Sequence, residues 1–142
     1  LGHGDWHGND TTWRMCLDLN QIVLFADQDG RLHDTPQRKY FSVVDGVIAG
    51  EADGPLSPTP KAVGYIACGM GSPFAVDYIS MYQMGFDPEK LKVNREAQKY
   101  PLFAFQPNDL QVVCVQDGDL VDYRDINMHF HPQRNWVGHI ER

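Results

Sequence analysis

Three carboxylates stand where solvation of an ordinary surface explains them least: Asp45, Glu51 and Asp77. Asp45 interrupts the apolar run Val44-Asp45-Gly46-Val47-Ile48-Ala49. An unpaired buried carboxylate is costly, so Asp45 must find a partner, a cation or a cleft. Glu51 opens a glycine-rich loop at the end of the same run, and in open α/β sheets that edge is where ligands bind. Asp77 falls about one turn into a helix, on the flank of an apolar segment. Such acids suit general acid–base catalysis, or a hard divalent cation such as Mg²⁺, which prefers carboxylate oxygens. The catalytic candidates are therefore Asp45, Glu51 and Asp77. The metal-ligand candidates are Asp10, Asp45, Glu51 and Asp77. The competing expectation keeps all of them structural. Asp45 then bonds neighbouring backbone N–H groups, Glu51 is solvated, and Asp77 complements the positive end of its helix.

Other donor atoms gather near the N-terminus. The segment His3-Gly4-Asp5-Trp6-His7-Gly8-Asn9-Asp10 holds two His, two Asp and an Asn, but its spacing fits no standard zinc helix. His129 and His131 share one face if their segment is extended. Two ligands on one strand are too few for a metal, and nothing in the spacing requires His139 as a third. Gly69 and Gly71 precede a helix whose first N–H groups could hold an anion such as phosphate. Neither dinucleotide nor P-loop spacing is present there, and no Gly-x-Ser-x-Gly nucleophile elbow occurs. Cys16, Cys68 and Cys114 form no Cys-x-x-Cys pair. Three separated thiols cannot hold a cubane cluster, so no iron–sulfur cluster is expected within this chain. Each lies in an apolar run and is expected to be a small buried hydrophobe, in a reducing, cytoplasmic setting.

These residues need elements to position them. Asn9 or Asp10 is placed to cap a helix over 11–28, with Gly30 as its stop. Trp13, Cys16, Leu17, Val23 and Leu24 make its stripe, and Met15, Leu19 and Ile22 widen it, which predicts burial on more than one side. Residues 40–49 are predicted to be a strand covered on both faces, with a bulge or close backbone approach at Gly46. A stiff Gly- and Pro-rich loop follows, then a strand over 62–68 and a turn at 69–71. Ser72-Pro73 starts a helix that Gly85 ends. Asp87-Pro88 starts a short one reaching about Gln98. Strands are expected over 110–116 and 126–130, with a turn at Asp117-Gly118. Trp136 is the expected anchor of a polar tail. The class is α/β: a mixed sheet with helices packed on it, in one domain spanning 1–142.

Nineteen acidic residues against 12 Lys plus Arg give a formal charge of −7. That excess argues against a nucleic-acid surface, whose footprint is basic. No run of eighteen apolar residues exists, so no membrane span is expected. The start, Leu1-Gly2-His3, carries neither Met nor a signal-peptide pattern, and is expected to belong to a processed form or a piece of a longer protein.

The same segments resemble a known family. Gly8-Asn9-Asp10-Thr11, Trp13-Arg14-Met15 and Leu17-Asp18-Leu19-Asn20 are similar to the C-terminal part of the DUF362 family, proteins of unknown function. So are Val44-Asp45-Gly46-Val47-Ile48-Ala49-Gly50-Glu51, Gly54-Pro55, Pro58-Thr59-Pro60-Lys61, Ser72-Pro73-Phe74-Ala75-Val76-Asp77 and Met84-Gly85-Phe86-Asp87. The ending Trp136-Val137-Gly138-His139-Ile140-Glu141 is similar to a frequent family ending. The family-like polar residues are Asn9, Asp10, Asp45, Glu51, Asp77 and His139. The resemblance implies a missing N-terminal part, and a ferredoxin-like redox partner, because some members are joined to iron–sulfur modules. Three functions compete. One is the acidic metal- or ligand-binding part of an enzyme. The second is an accessory, partner-binding domain without catalysis of its own. The third is a scaffold whose acids are structural.

Overall fold

Local backbone chemistry sets most element boundaries. A computed structural model describes residues 4–103 and 105–142. Helix α1 spans Thr12–Phe25. The Asn9 side chain caps it, with Oδ1 accepting from the N–H groups of Thr11 at 2.9 Å and Thr12 at 3.0 Å. The helix stops three residues short of the predicted end, and Gly30 serves instead in the turn that follows, at φ 80°. The Arg38 guanidinium bonds the Val23 and Ala26 carbonyls, supplying donors the helix end lacks. Helix α2 spans Pro73–Met84, with Ser72 accepting from the Phe74 N–H and Gly85 closing it at φ 98°. The Asp87-Pro88 start gives one 3₁₀ turn and then α3, Lys92–Ala97.

The chain is α/β, with helices on strands in a single domain. Its strands form two separate antiparallel pairs rather than one mixed sheet. Strand β1 (Phe41–Glu51) pairs with β2 (Thr59–Met70), matching Phe41 to Met70 and Glu51 to Thr59. The register slips between Gly46 and Ile48, the bulge expected at Gly46. Strand β3 (Cys114–Gln116) pairs with β4 (Asp119–Val121) through the Asp117-Gly118 turn, where both φ values are positive, 53° and 93°. Leu110 is extended, residues 111–113 lie outside any strand, so the predicted strand over 110–116 is cut to β3, and 126–130 forms no strand.

Helix α2 lies against β2 and β1, and α1 against α3. Leu17, Leu24 and Phe25 of α1 meet Phe74, Ala97, Phe103 and Phe105 in one buried cluster. Phe86, Leu91, Phe130 and Ile140 form a second, with Trp136 packed against it. Trp136 is thus the predicted anchor.

Three burial expectations fail. Strand β1 is not covered on both faces. Phe41, Val43, Asp45 and Val47 are exposed, as are Ile66, Cys68 and Met70 on β2. With apolar residues on both sides of β1, the run hid the alternation that separates a half-buried strand from a covered one. Helix α1 is buried on one side only, and Met15, Leu19, Ile22 and Val23 stay about half exposed at 52–55%. The cysteines are not fully buried either, because Cys68 faces solvent and Cys16 and Cys114 are half-buried. Among the described residues, no helix is long and apolar enough to cross a membrane.

Candidate functional site

The acids predicted to share a site occupy separate surroundings. Asp45 lies exposed on β1, opposite Ile66. Its Oδ1 accepts from the Val47 N–H at 3.2 Å, the local bond that stabilises the bulge. The burial argument for Asp45 thus fails, since the strand face it occupies is open. Glu51 lies six positions further along the strand, about 20 Å at the rise of a strand. Charges shift one another's pKa over about 4–6 Å, so these two do not act as a pair. Asp77 is exposed on α2 and makes no side-chain hydrogen bond among the described residues. Desolvation by the protein beside it raises its carboxyl above the ordinary value. At the start of the same helix, the Phe74 N–H proposed for an anion is taken by Ser72.

Glu51 is the best-built of the four. Its Oε2 accepts from Lys61 Nζ at 3.0 Å and from the His131 N–H at 2.9 Å. Lys61 also donates to the His129 carbonyl at 2.7 Å and sits 5.1 Å from the centre of the Phe130 ring. The Ala52 N–H donates to the His131 carbonyl. The hairpin tip is therefore clamped to the segment carrying His129 and His131. Backbone strain gathers here, with Ala52 at φ 62° and His129 at φ 50°. The turn at His129 breaks the extended run on which a shared imidazole face depended. Arg134 pairs with Asp53 beside the clamp at 3.2 Å, while Asp53 Oδ1 is buried without a partner among the described residues.

The Glu51 carboxyl is held below its ordinary range, chiefly by the His131 N–H and further by Lys61, against a desolvation effect that raises it. Only a tenth of the side chain is exposed, yet little protein lies beyond that first layer, so water still screens the pair. We predict that Glu51→Gln destabilises the fold by about 1–2 kcal/mol at neutral pH. A carboxyl depressed by folding stabilises above its unfolded pKa, and that stability is lost as pH falls through its folded pKa. The gap between wild type and variant must therefore close in acid. Urea titrations of both proteins across pH check this, and a gap that persists below the carboxylate range refutes the clamp.

Asp10 belongs to a second cluster. Hydrogen bonds from Arg14, Lys92 and Trp13 hold its carboxyl far below the usual range. Lys92 also reaches the Gly8 and Asn9 carbonyls. Nearby, the His7 and His139 rings stack at 4.3 Å with planes 7° apart, and Trp136 meets His7 edge-on at 5.3 Å. Desolvation, then His139, then Lys92 lower the His7 pKa. Trp136 Nε1 donates to the Asp5 carbonyl at 2.6 Å, and Gln133 and Asn135 donate to the Asp5 carboxylate. His3, part of the same sequence candidate, lies outside the described residues.

The structure thus joins Asn9 and Asp10 in one cap-and-pair arrangement, and His7 with His139 in a stack. It does not bring Asp45 and Glu51 together. Among the described residues, no three His, Cys, Asp or Glu side chains form a metal-binding group. Sequence reasoning missed the cations that engage these acids, Lys61 at Glu51 and Arg14 and Lys92 at Asp10. The signal for Lys61 lay in hairpin register. Glu51 faces Thr59, which puts Lys61 two residues on at the diagonal cross-strand position. Lys92 carries no such local signal. Comparison with protein-family models, with curated proteins and with solved structures returns no match for this chain.

Proposed function

We propose that this chain is an accessory, partner-binding domain of a larger redox-linked protein, without catalysis of its own. The observation that carries this reading is the open apolar sheet. Among the described residues, strands β1 and β2 have only each other as partners, and Phe41, Val43, Ile48, Ile66 and Met70 are each more than half exposed. Exposed apolar patches of this kind, rimmed by polar residues, mark interaction surfaces. Helix α1 carries a further exposed apolar flank, Met15, Leu19, Ile22 and Val23. The resemblance to DUF362 proteins supplies the candidate partners, an N-terminal part such as full-length members carry or a ferredoxin-like module. Sedimentation velocity tests this with the domain mixed with each at micromolar concentration. We expect a complex that Ile66→Lys weakens without unfolding the domain, since a change at an exposed site usually moves stability by less than about 0.5 kcal/mol. No complex with either partner counts against the reading.

The enzyme reading retains one support, the strained backbone around Glu51, because strain clusters at functional sites. On that reading Glu51 binds a divalent cation without Asp45, and Lys61 must give way. Calorimetric titration with Mg²⁺ of wild type and Glu51→Gln decides it, and equal affinities reject it.

A further inference from the structure

A groove of about 1010 Å³ runs between β2, α2 and the segment leading into β3. Its walls are unusual. Residues 63–70 line it without a gap, and so do residues 109–116. Side chains of a strand alternate between faces, so a wall of consecutive residues is a strand edge rather than a strand face. Both edges are free among the described residues. There, the only strand partner of β2 is β1, on its other side. Leu110 is extended at φ −68° and ψ 126°, and residues 111–113, which lead from it into β3, belong to no helix or strand and make no backbone hydrogen bond among the described residues. Two such edges across one groove present unpaired N–H and C=O groups to whatever lies between them.

Polar detail agrees. Gln83 is 1% exposed and lines the groove. Its Oε1 has no hydrogen-bond partner among the described residues, and its amide nitrogen finds only the Cys114 sulfur at 3.6 Å. A buried carbonyl oxygen left without a donor is costly, so an occupant bringing an N–H is favoured. Among the described residues, Asp109 is the only charged one in the lining, and it stands at the start of the 109–116 wall.

We infer that this groove accepts one extended strand of a partner polypeptide, which pairs with β2 on one side and residues 110–116 on the other. The inference rests on the partner-binding reading and names the form of the partner. A strand takes about 160 Å³ per residue, from its rise, strand spacing and sheet spacing, so the groove holds about six residues. The inserted strand alternates apolar residues toward α2, carries Lys or Arg at the end near Asp109, and carries no acid. A small apolar ligand fits the volume but leaves the two backbone edges unpaired.

The test uses the isotope-labelled chain and a blocked hexapeptide, acetyl-Lys-Val-Thr-Val-Thr-Val-amide. Saturable shifts and slowed amide exchange are expected in residues 63–70 and 111–113. The same peptide N-methylated at alternate residues loses its ladder bonds and should lose binding. Asp109→Asn, an exposed site, should weaken the Lys peptide about two- to fivefold, the range of an exposed ion pair, and leave a Lys-to-Ala peptide unchanged. Strand insertion is overturned by absence of saturable shifts at millimolar peptide, by shifts elsewhere, or by equal binding of the N-methylated peptide. If the hexapeptide fails while the sedimentation complex forms, insertion alone is wrong. If both fail, partner binding falls with it.

Discussion

Phe74→Ala is expected to lower stability by about 3–5 kcal/mol, the top of the range for truncating a core side chain. Phe74 is 2% exposed. Its ring meets Phe103 edge-on at 4.8 Å and lies 6.1 Å from Phe105. Leu17, Leu24 and Phe25 of α1 belong to the same buried cluster. Truncation therefore opens a cavity between α1, α2 and the 101–105 segment at once, and rigid rings collapse into such a space poorly. In a domain of this size the loss lowers the melting temperature by roughly 10–17 °C. Denaturant unfolding should show a lower midpoint at unchanged slope. A loss under about 1 kcal/mol would mean that these aromatic rings do not hold the elements together.

Gly85→Ala is the second large effect, expected at about 2–3 kcal/mol. Gly85 ends α2 at φ 98°, where an L side chain is strained by about 1–2 kcal/mol. A Cβ there would also lie 2.6 Å from Asn127 Oδ1. Asn127 cannot move freely, since that oxygen accepts from the His129 N–H at 2.9 Å. The substitution thus pushes on the same turn that Lys61 grips from the other side. Gly30→Ala is the control. Gly30 is at φ 80° with nothing near its Cβ position, so it carries the backbone strain alone. Thermal unfolding of both variants separates the two effects, and equal losses would show that the Asn127 contact relaxes without cost.

These two residues also mark what was legible in the sequence. Gly85, Ser72-Pro73, Asn9, Gly46 and the Asp117-Gly118 turn act through their own backbone neighbourhood, so residue type alone placed them. Phe103 and Phe105 lie in a segment without periodicity, and nothing local announced that they complete the core. Asp45 looked buried because its neighbours are apolar. Whether an apolar strand is covered depends on what packs over it, a tertiary fact. Local patterning is equally silent on the stack of His7 with His139, whose partners come from opposite ends of the chain. Glu51 was placed correctly at a loop edge, but its role in the clamp depended on hairpin register, which fixes Lys61 beside it.

The contacts from Asp5 to Gln133 and Asn135 bridge 128 and 130 positions of sequence. Closing so long a loop from an open chain is entropically slow, with little reward until both ends are in place. The β1–β2 hairpin and α2, by contrast, are consecutive and assemble from near neighbours. We therefore expect this clasp to form late in folding, after the hairpin and helices have shortened the distance it must span. Interactions absent from the folding transition state set the rate of unfolding rather than of folding. Asp5, His7, Trp136 and His139 are thus expected to act as a latch, so that Asp5→Ala speeds unfolding and leaves the folding rate unchanged in stopped-flow denaturant jumps, and a slowed folding rate instead would refute this.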